Sequence, residues 1–60
     1  MTLRDIELRR ELLKKQLTLI NRYPEEFIER LGVTGLERFV NEILDELNYL
    51  KELSKKLSDE

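Results

Sequence analysis

Residues 34–57 read TGLERFVNEILDELNYLKELSKKL, and their apolar side chains recur at helical spacing. One series repeats every seven residues and contains Leu36, Ile43, Leu50 and Leu57. A second series with the same repeat lies between its members and contains Val40, Leu47 and Ser54. Two interleaved series of this kind are the a and d positions of a heptad repeat. The pattern predicts a long helix over about residues 34–57 that buries one continuous apolar seam.

The first part of the chain, from about residue 3 to residue 22, has helical spacing but two apolar stripes. One stripe contains Leu3, Ile6, Leu13, Leu17 and Ile20, and the other contains Leu8, Leu12 and Leu19. A surface helix of a simple monomer needs a single stripe somewhat wider than about 100°. We therefore expect this first helix to contact neighbours on two of its sides.

Local signals place the start and end of the first helix and the start of a second. Thr2 and Asp5 have the spacing of a capping box ahead of the first helix. Pro24 disfavours a helical conformation in Tyr23 and suits the first turn of a new helix. The sequence therefore predicts a first helix that ends near residue 22 and a short helix over about residues 24–31.

A stop signal and a new start signal separate the short helix from the long one. Gly32 is the expected stop, and Thr34 with Glu37 has the spacing of a second capping box. The predicted fold is all-α and forms a single domain over residues 1–60. It is a helical hairpin of two long helices joined by the short helix.

Composition limits how this fold can be stabilised. The chain has 60 residues, 40% of them hydrophobic and 40% charged, with no cysteine and no histidine. A chain this short buries only about 60% of the surface that its unfolded form exposes. It therefore usually needs additional stabilisation from disulfides, a metal ion or a partner. Disulfides and thiolate metal sites are excluded, and the commonest transition-metal ligand is absent. We therefore expect no metal and no cofactor, and we expect association with a partner to stabilise the fold.

Charge and hydropathy bear on location and on partners. No apolar run approaches the roughly 18 residues of a membrane span, and the charged N-terminus lacks the apolar region of a secretory signal. A cytoplasmic protein that binds no membrane is expected. Residues 1–22 carry a formal charge of about +3 and residues 23–60 about −5, which is not the charge distribution of a nucleic-acid-binding domain.

The predicted helix lengths indicate that one copy of the chain leaves apolar surface exposed. The short helix is about 12 Å long, too short to cover both long helices, so a second stripe on each stays uncovered. A contiguous apolar patch usually marks an interface. We therefore predict a homodimer in which two hairpins form a four-helix-type bundle. The predicted interface residues are Leu8, Leu12, Leu19, Phe39, Leu44, Tyr49 and Leu53.

Two groups of polar residues could carry chemistry, and each also has a purely structural interpretation. Carboxylates cluster at Glu42, Asp45 and Glu46, where we expect a solvated helix face rather than a metal or acid–base site. Arg9, Arg10 and Gln16 lie in or beside the apolar arc of the first helix and could bind an anionic ligand. We favour instead an interface edge, or ion pairs with Asp5 and with an acidic residue of the last helix. No enzymatic activity is expected.

The sequence leaves the biological role open between several classes of protein. The favoured hypothesis is an interaction or oligomerisation module without catalytic activity that self-associates through its apolar helix faces. The alternative is a small helical regulator, or a designed miniprotein binder, that docks on a larger protein through an exposed apolar face. The absence of alanine, the best helix former, fits a designed protein less well.

Overall fold

The computed structural model describes residues 2–58, and their fold is an all-α hairpin. Helix α1 spans Leu3–Arg22 and helix α2 spans Pro24–Ser58. The chain reverses at Tyr23, whose φ of −128° and ψ of 58° lie outside the helical region, and the two helices pack against each other. The hairpin is a rod with extents of 45 × 17 × 14 Å. The predicted all-α hairpin is confirmed, and the four-helix-type bundle stays a prediction because it requires a second copy.

Helix α1 begins with the capping box that the sequence predicts. The hydroxyl of Thr2 accepts a hydrogen bond of 3.2 Å from the backbone N–H of Asp5. The Asp5 carboxylate accepts one of 3.1 Å from the backbone N–H of Thr2. These bonds satisfy two N–H groups that the helix itself leaves without partners. The hydrogen bond from the Thr2 backbone N–H lowers the pKa of the Asp5 carboxyl, because it favours the charged form. At the other end, the N–H of Tyr23 donates to the Leu19 carbonyl at 2.8 Å.

Helix α2 is broken at Gly32, which divides it into segments 24–31 and 33–58. Gly32 has φ 76° and ψ 166°, a conformation that is essentially restricted to glycine. The helix resumes at Val33, so Thr34 lies inside its first turn rather than ahead of it. Within residues 2–58 no hydrogen bond joins Thr34 to Glu37, and the expected second capping box does not form. The reason is that Gly32 already occupies the non-helical position before the helix.

The core is a single seam between the two helices. Its buried side chains come from heptad positions and are Ile6, Leu13, Ile20, Ile43 and Leu50. Half-buried apolar side chains line both edges of the seam: Leu17, Phe27, Leu36, Phe39, Val40, Leu47, Leu53 and Leu57. Phe27 belongs to segment 24–31 and brings that segment against the core. One buried row from each helix faces the other, and the outer sides of both helices are left uncovered.

Candidate interaction surfaces

An ion pair across the two helices identifies one side of the hairpin. The guanidinium of Arg9 donates two hydrogen bonds to the Glu46 carboxylate, from Nε to Oε2 at 2.7 Å and from Nη2 to Oε1 at 3.2 Å. This two-pronged geometry lowers the pKa of the Glu46 carboxyl and raises that of Arg9, because the hydrogen bonds favour both charged forms. Arg9 therefore pairs with the last helix, whereas the Asp5 carboxylate is used in the cap of α1.

Exposed apolar side chains from both helices lie on the side of this ion pair. Leu12 follows Arg9 by three residues and Tyr49 follows Glu46 by three, so each shares the side of its neighbour. The exposed fractions are 58% for Leu8, 47% for Leu12, 48% for Leu19 and 63% for Tyr49. Because the helices run in opposite directions, Tyr49 is nearer to the level of Leu8 than to that of Leu12. We call this surface, made of Leu8, Leu12, Leu19 and Tyr49, the Leu12 face.

Two of the predicted interface residues lie deeper than the others on this side. Phe39 and Leu53 are half-buried and pack against the core seam. Phe39 lines a shallow groove together with Gln16, Glu42 and the Arg9–Glu46 pair. These two side chains therefore support the Leu12 face from below and contribute only their outer edges to it. Their part in an interface stays a prediction.

Leu44 lies on the opposite side of the hairpin from the other predicted interface residues. It is two residues from Glu46, which is about 200° around a helix. Its neighbours line a separate groove with it and are Arg10, Lys14, Leu47, Asn48 and Lys51. The seven predicted interface residues therefore do not form one surface. We call the surface made of Arg10, Lys14, Leu44, Leu47 and Lys51 the Leu44 face.

Of the basic residues of the Leu44 face, Arg10 is identified from the sequence but Lys14 and Lys51 are not, although their spacing carries a signal. Arg10 and Lys14 are four residues apart on α1, and Leu44, Leu47 and Lys51 recur at intervals of three and four on α2. Each helix thus places these residues on one of its own sides. The spacing does not predict that the hairpin brings these two sides together.

The structure separates the residues that could have formed an anionic-ligand pocket. Arg9 and Gln16 lie on the side of the Leu12 face, whereas Arg10 lies on the Leu44 face. Arg9 is already bound by a carboxylate, and Glu42 adds a second negative charge to the same groove. An anion entering this groove would meet two carboxylates, so the arrangement is unsuited to holding one.

No protein-family model, curated protein or solved structure matches this chain. Over residues 2–58 there is no group of three or more acidic side chains placed to hold a metal ion. In the same part of the chain, neither helix has an apolar stretch long enough to cross a membrane. The fold thus defines a two-helix hairpin, and its function must be inferred from its outer faces.

Proposed function

We propose that this chain is an oligomerisation module without catalytic activity that forms a homodimer through the Leu12 face. Two hairpins packed by this face make the four-helix-type bundle that a single copy cannot make. The observation that carries the proposal is the Leu12 face itself. It places four apolar side chains, each about half exposed or more, on one side of a hairpin whose buried core is a single seam.

The exposed area of the hairpin is large enough for one interface of ordinary size. The chain exposes 5102 Å², whereas a folded monomer of its 7.3 kDa mass is expected to expose about 4,200 Å². The excess of about 900 Å² is close to the roughly 800 Å² that each partner buries in a standard interface. One interface of ordinary size would therefore bring the exposure per copy down to that of a typical folded protein.

The charge distribution is compatible with a second copy as the partner. Arg9 and Glu46 neutralise each other beside the Leu12 face, which leaves Glu42 as the remaining charge in the groove that they line. A two-fold arrangement can place α1 of one copy over α2 of the other. Residues 1–22 carry about +3 and residues 23–60 about −5, so this arrangement places segments of opposite net charge against each other at the contact.

Mass in solution as a function of concentration tests the proposal. Light scattering from about 1 to about 200 µM should show a rise towards twice the 7.3 kDa chain mass. The double substitution Leu12→Glu and Leu19→Glu should hold the chain at the monomer mass, because it places four charges in a symmetric interface. Leu44→Glu is the control matched to each of the single substitutions, Leu12→Glu and Leu19→Glu. Leu44 is 49% exposed, which is close to the 47% of Leu12 and the 48% of Leu19. It lies on the opposite side of the hairpin.

Two outcomes would contradict the proposal. A wild-type chain that stays monomeric and fully helical over the whole range, with a melting temperature independent of concentration, would refute self-association. The alternative of a regulator that docks on a larger protein would then be favoured. An equal loss of dimer in Leu44→Glu would show that the Leu12 face has been assigned wrongly. Circular dichroism of each variant establishes that a change of mass is not caused by unfolding.

A further inference from the structure

The Leu44 face is a second surface, and a dimer formed through the Leu12 face leaves it open. Leu44 is 49% exposed and Leu47 is half-buried beneath it. Basic side chains surround this apolar centre on both helices, Arg10 and Lys14 on α1 and Lys51 on α2. The groove between them is lined by no carboxylate. Glu7 and Glu11 lie at its outer edge on the α1 side.

The basic groups of this face have no anionic partner in the described part of the chain. The ion pair found over residues 2–58 is Arg9–Glu46, on the other side of the hairpin. Arg10 is half-buried, and its Nε is shielded from solvent with no hydrogen-bond acceptor within reach among residues 2–58. A charged donor that has lost its water without gaining an acceptor is unfavourable. A carboxylate brought by a partner would form charge-assisted hydrogen bonds with the basic groups of this face.

We propose that the Leu44 face docks an acidic amphipathic helix of another protein. The apolar stripe of that helix would contact Leu44 and Leu47, and its flanking carboxylates would pair with Arg10, Lys14 and Lys51. The groove between two antiparallel helices accepts a third helix along its length. Leu44 and Lys51 are about 10 Å apart along α2, which corresponds to two turns of a partner helix.

The chemistry of the face favours an acidic protein helix over a nucleic acid. A phosphate backbone would pair with the same basic groups, but it would leave the apolar centre at Leu44 uncovered. An amphipathic helix covers the apolar centre and neutralises the charges at once. This inference is independent of self-association through the Leu12 face, because the two surfaces lie on opposite sides of the hairpin.

Fluorescence anisotropy with synthetic peptides and the full chain tests the proposal. The probe is a labelled helical peptide of about 18 residues with leucines at heptad a and d positions and glutamates on both flanks. A matched peptide carries lysine in place of each glutamate, and a single-stranded oligonucleotide has the same net charge as the probe. The probe should bind at low salt at least about 10-fold more tightly than the lysine peptide, and more tightly than the oligonucleotide.

Charge-reversal variants locate the binding surface. Lys14→Glu combined with Lys51→Glu should weaken probe binding by at least about 10-fold. Lys15→Glu combined with Lys56→Glu makes the same change of net charge at exposed positions outside the Leu44 face, and it should leave most of the affinity. The variant with Leu12→Glu and Leu19→Glu should still bind the probe. This result would distinguish the Leu44 face from the surface proposed for self-association.

Several results would overturn the proposal. These are equal binding of the two peptides, no binding of the probe up to about 1 mM, or tighter binding of the oligonucleotide, which would indicate a nucleic-acid surface. Probe binding that survives Lys14→Glu with Lys51→Glu, or that is lost with Leu12→Glu and Leu19→Glu, would place the site elsewhere. If the wild-type chain forms species heavier than a dimer, and Lys14→Glu with Lys51→Glu removes them, the Leu44 face binds another copy of this chain.

Discussion

Replacing Gly32 with L-alanine and with D-alanine should shift the stability of the hairpin in opposite directions. Gly32 has φ 76° and ψ 166°, and a Cβ added there meets nothing within 4 Å. The cost of L-alanine therefore comes from the backbone alone, on the order of 1–3 kcal/mol. D-alanine accepts this positive φ and also restricts the unfolded chain, so it should stabilise by about 0.4–1 kcal/mol.

The shifts are large compared with the total stability of such a chain. A single small core of this kind rarely supplies more than about 3–5 kcal/mol. With a urea m-value of about 1 kcal/mol/M, L-alanine should lower the denaturation midpoint by about 1–3 M, and D-alanine should raise it by up to about 1 M. The measurement is urea denaturation followed by circular dichroism on chemically synthesised chains. All chains are compared at one protein concentration, since dimerisation adds to apparent stability.

The comparison of the two enantiomers can refute the reasoning directly. Both alanines have the same atoms and the same hydrophobicity, so the comparison tests the handedness of the backbone preference. Equal midpoints, or a higher midpoint for L-alanine, would mean that Gly32 does not hold a positive φ in solution. Helix α2 would then run unbroken from Pro24, and Phe27 would be carried away from the core seam.

Two further predictions concern the core and the response to acid. Leu13→Ala should cost about 2–5 kcal/mol and remove most of the helical signal, because Leu13 is 3% exposed, whereas Leu12→Ala at a 47% exposed position should leave the hairpin folded. Equal thermal melts for these neighbouring substitutions would contradict the assigned core. The pKa values of Asp5 and Glu46 are lowered from 3.8 and 4.5, so the stability that these carboxylates contribute is present above those values and is lost as pH falls below them. Urea midpoints measured from about pH 6 to about pH 3 should therefore fall less steeply in Glu46→Gln than in the wild type, and identical slopes would show that the Arg9–Glu46 pair is not formed.

The elements that sequence could predict are those set by contacts close along the chain. The capping box at Thr2 depends on residues three apart, and the buried rows depend on heptad spacing within each helix. The second capping box failed for an equally local reason. Thr34 and Glu37 have a suitable spacing, but Gly32 can adopt a conformation closed to other residues and so starts the helix earlier than a threonine cap would.

What could not be predicted is the pairing of sides between the two helices. Arg9 and Arg10 are neighbours in sequence and look alike, yet one binds Glu46 and the other lines the opposite groove beside Leu47. The difference arises because the buried seam passes between them, and a rotation of about 100° per residue places them on either side of it. The same rotation separates Leu44 from Tyr49, which the sequence-based prediction places in one interface.

The different charges of the two outer faces indicate which of them can serve for self-association. A two-fold contact places a surface against its own copy, so a face must be compatible with itself. Two Leu44 faces in contact would bring six basic groups together, those of Arg10, Lys14 and Lys51 from each copy, with the carboxylates of Glu7 and Glu11 only at the outer edge. Two Leu12 faces would meet beside the Arg9–Glu46 pair, where Glu42 is the remaining charge of the groove. This difference in charge is why we propose the Leu12 face for symmetric association and an acidic partner for the Leu44 face.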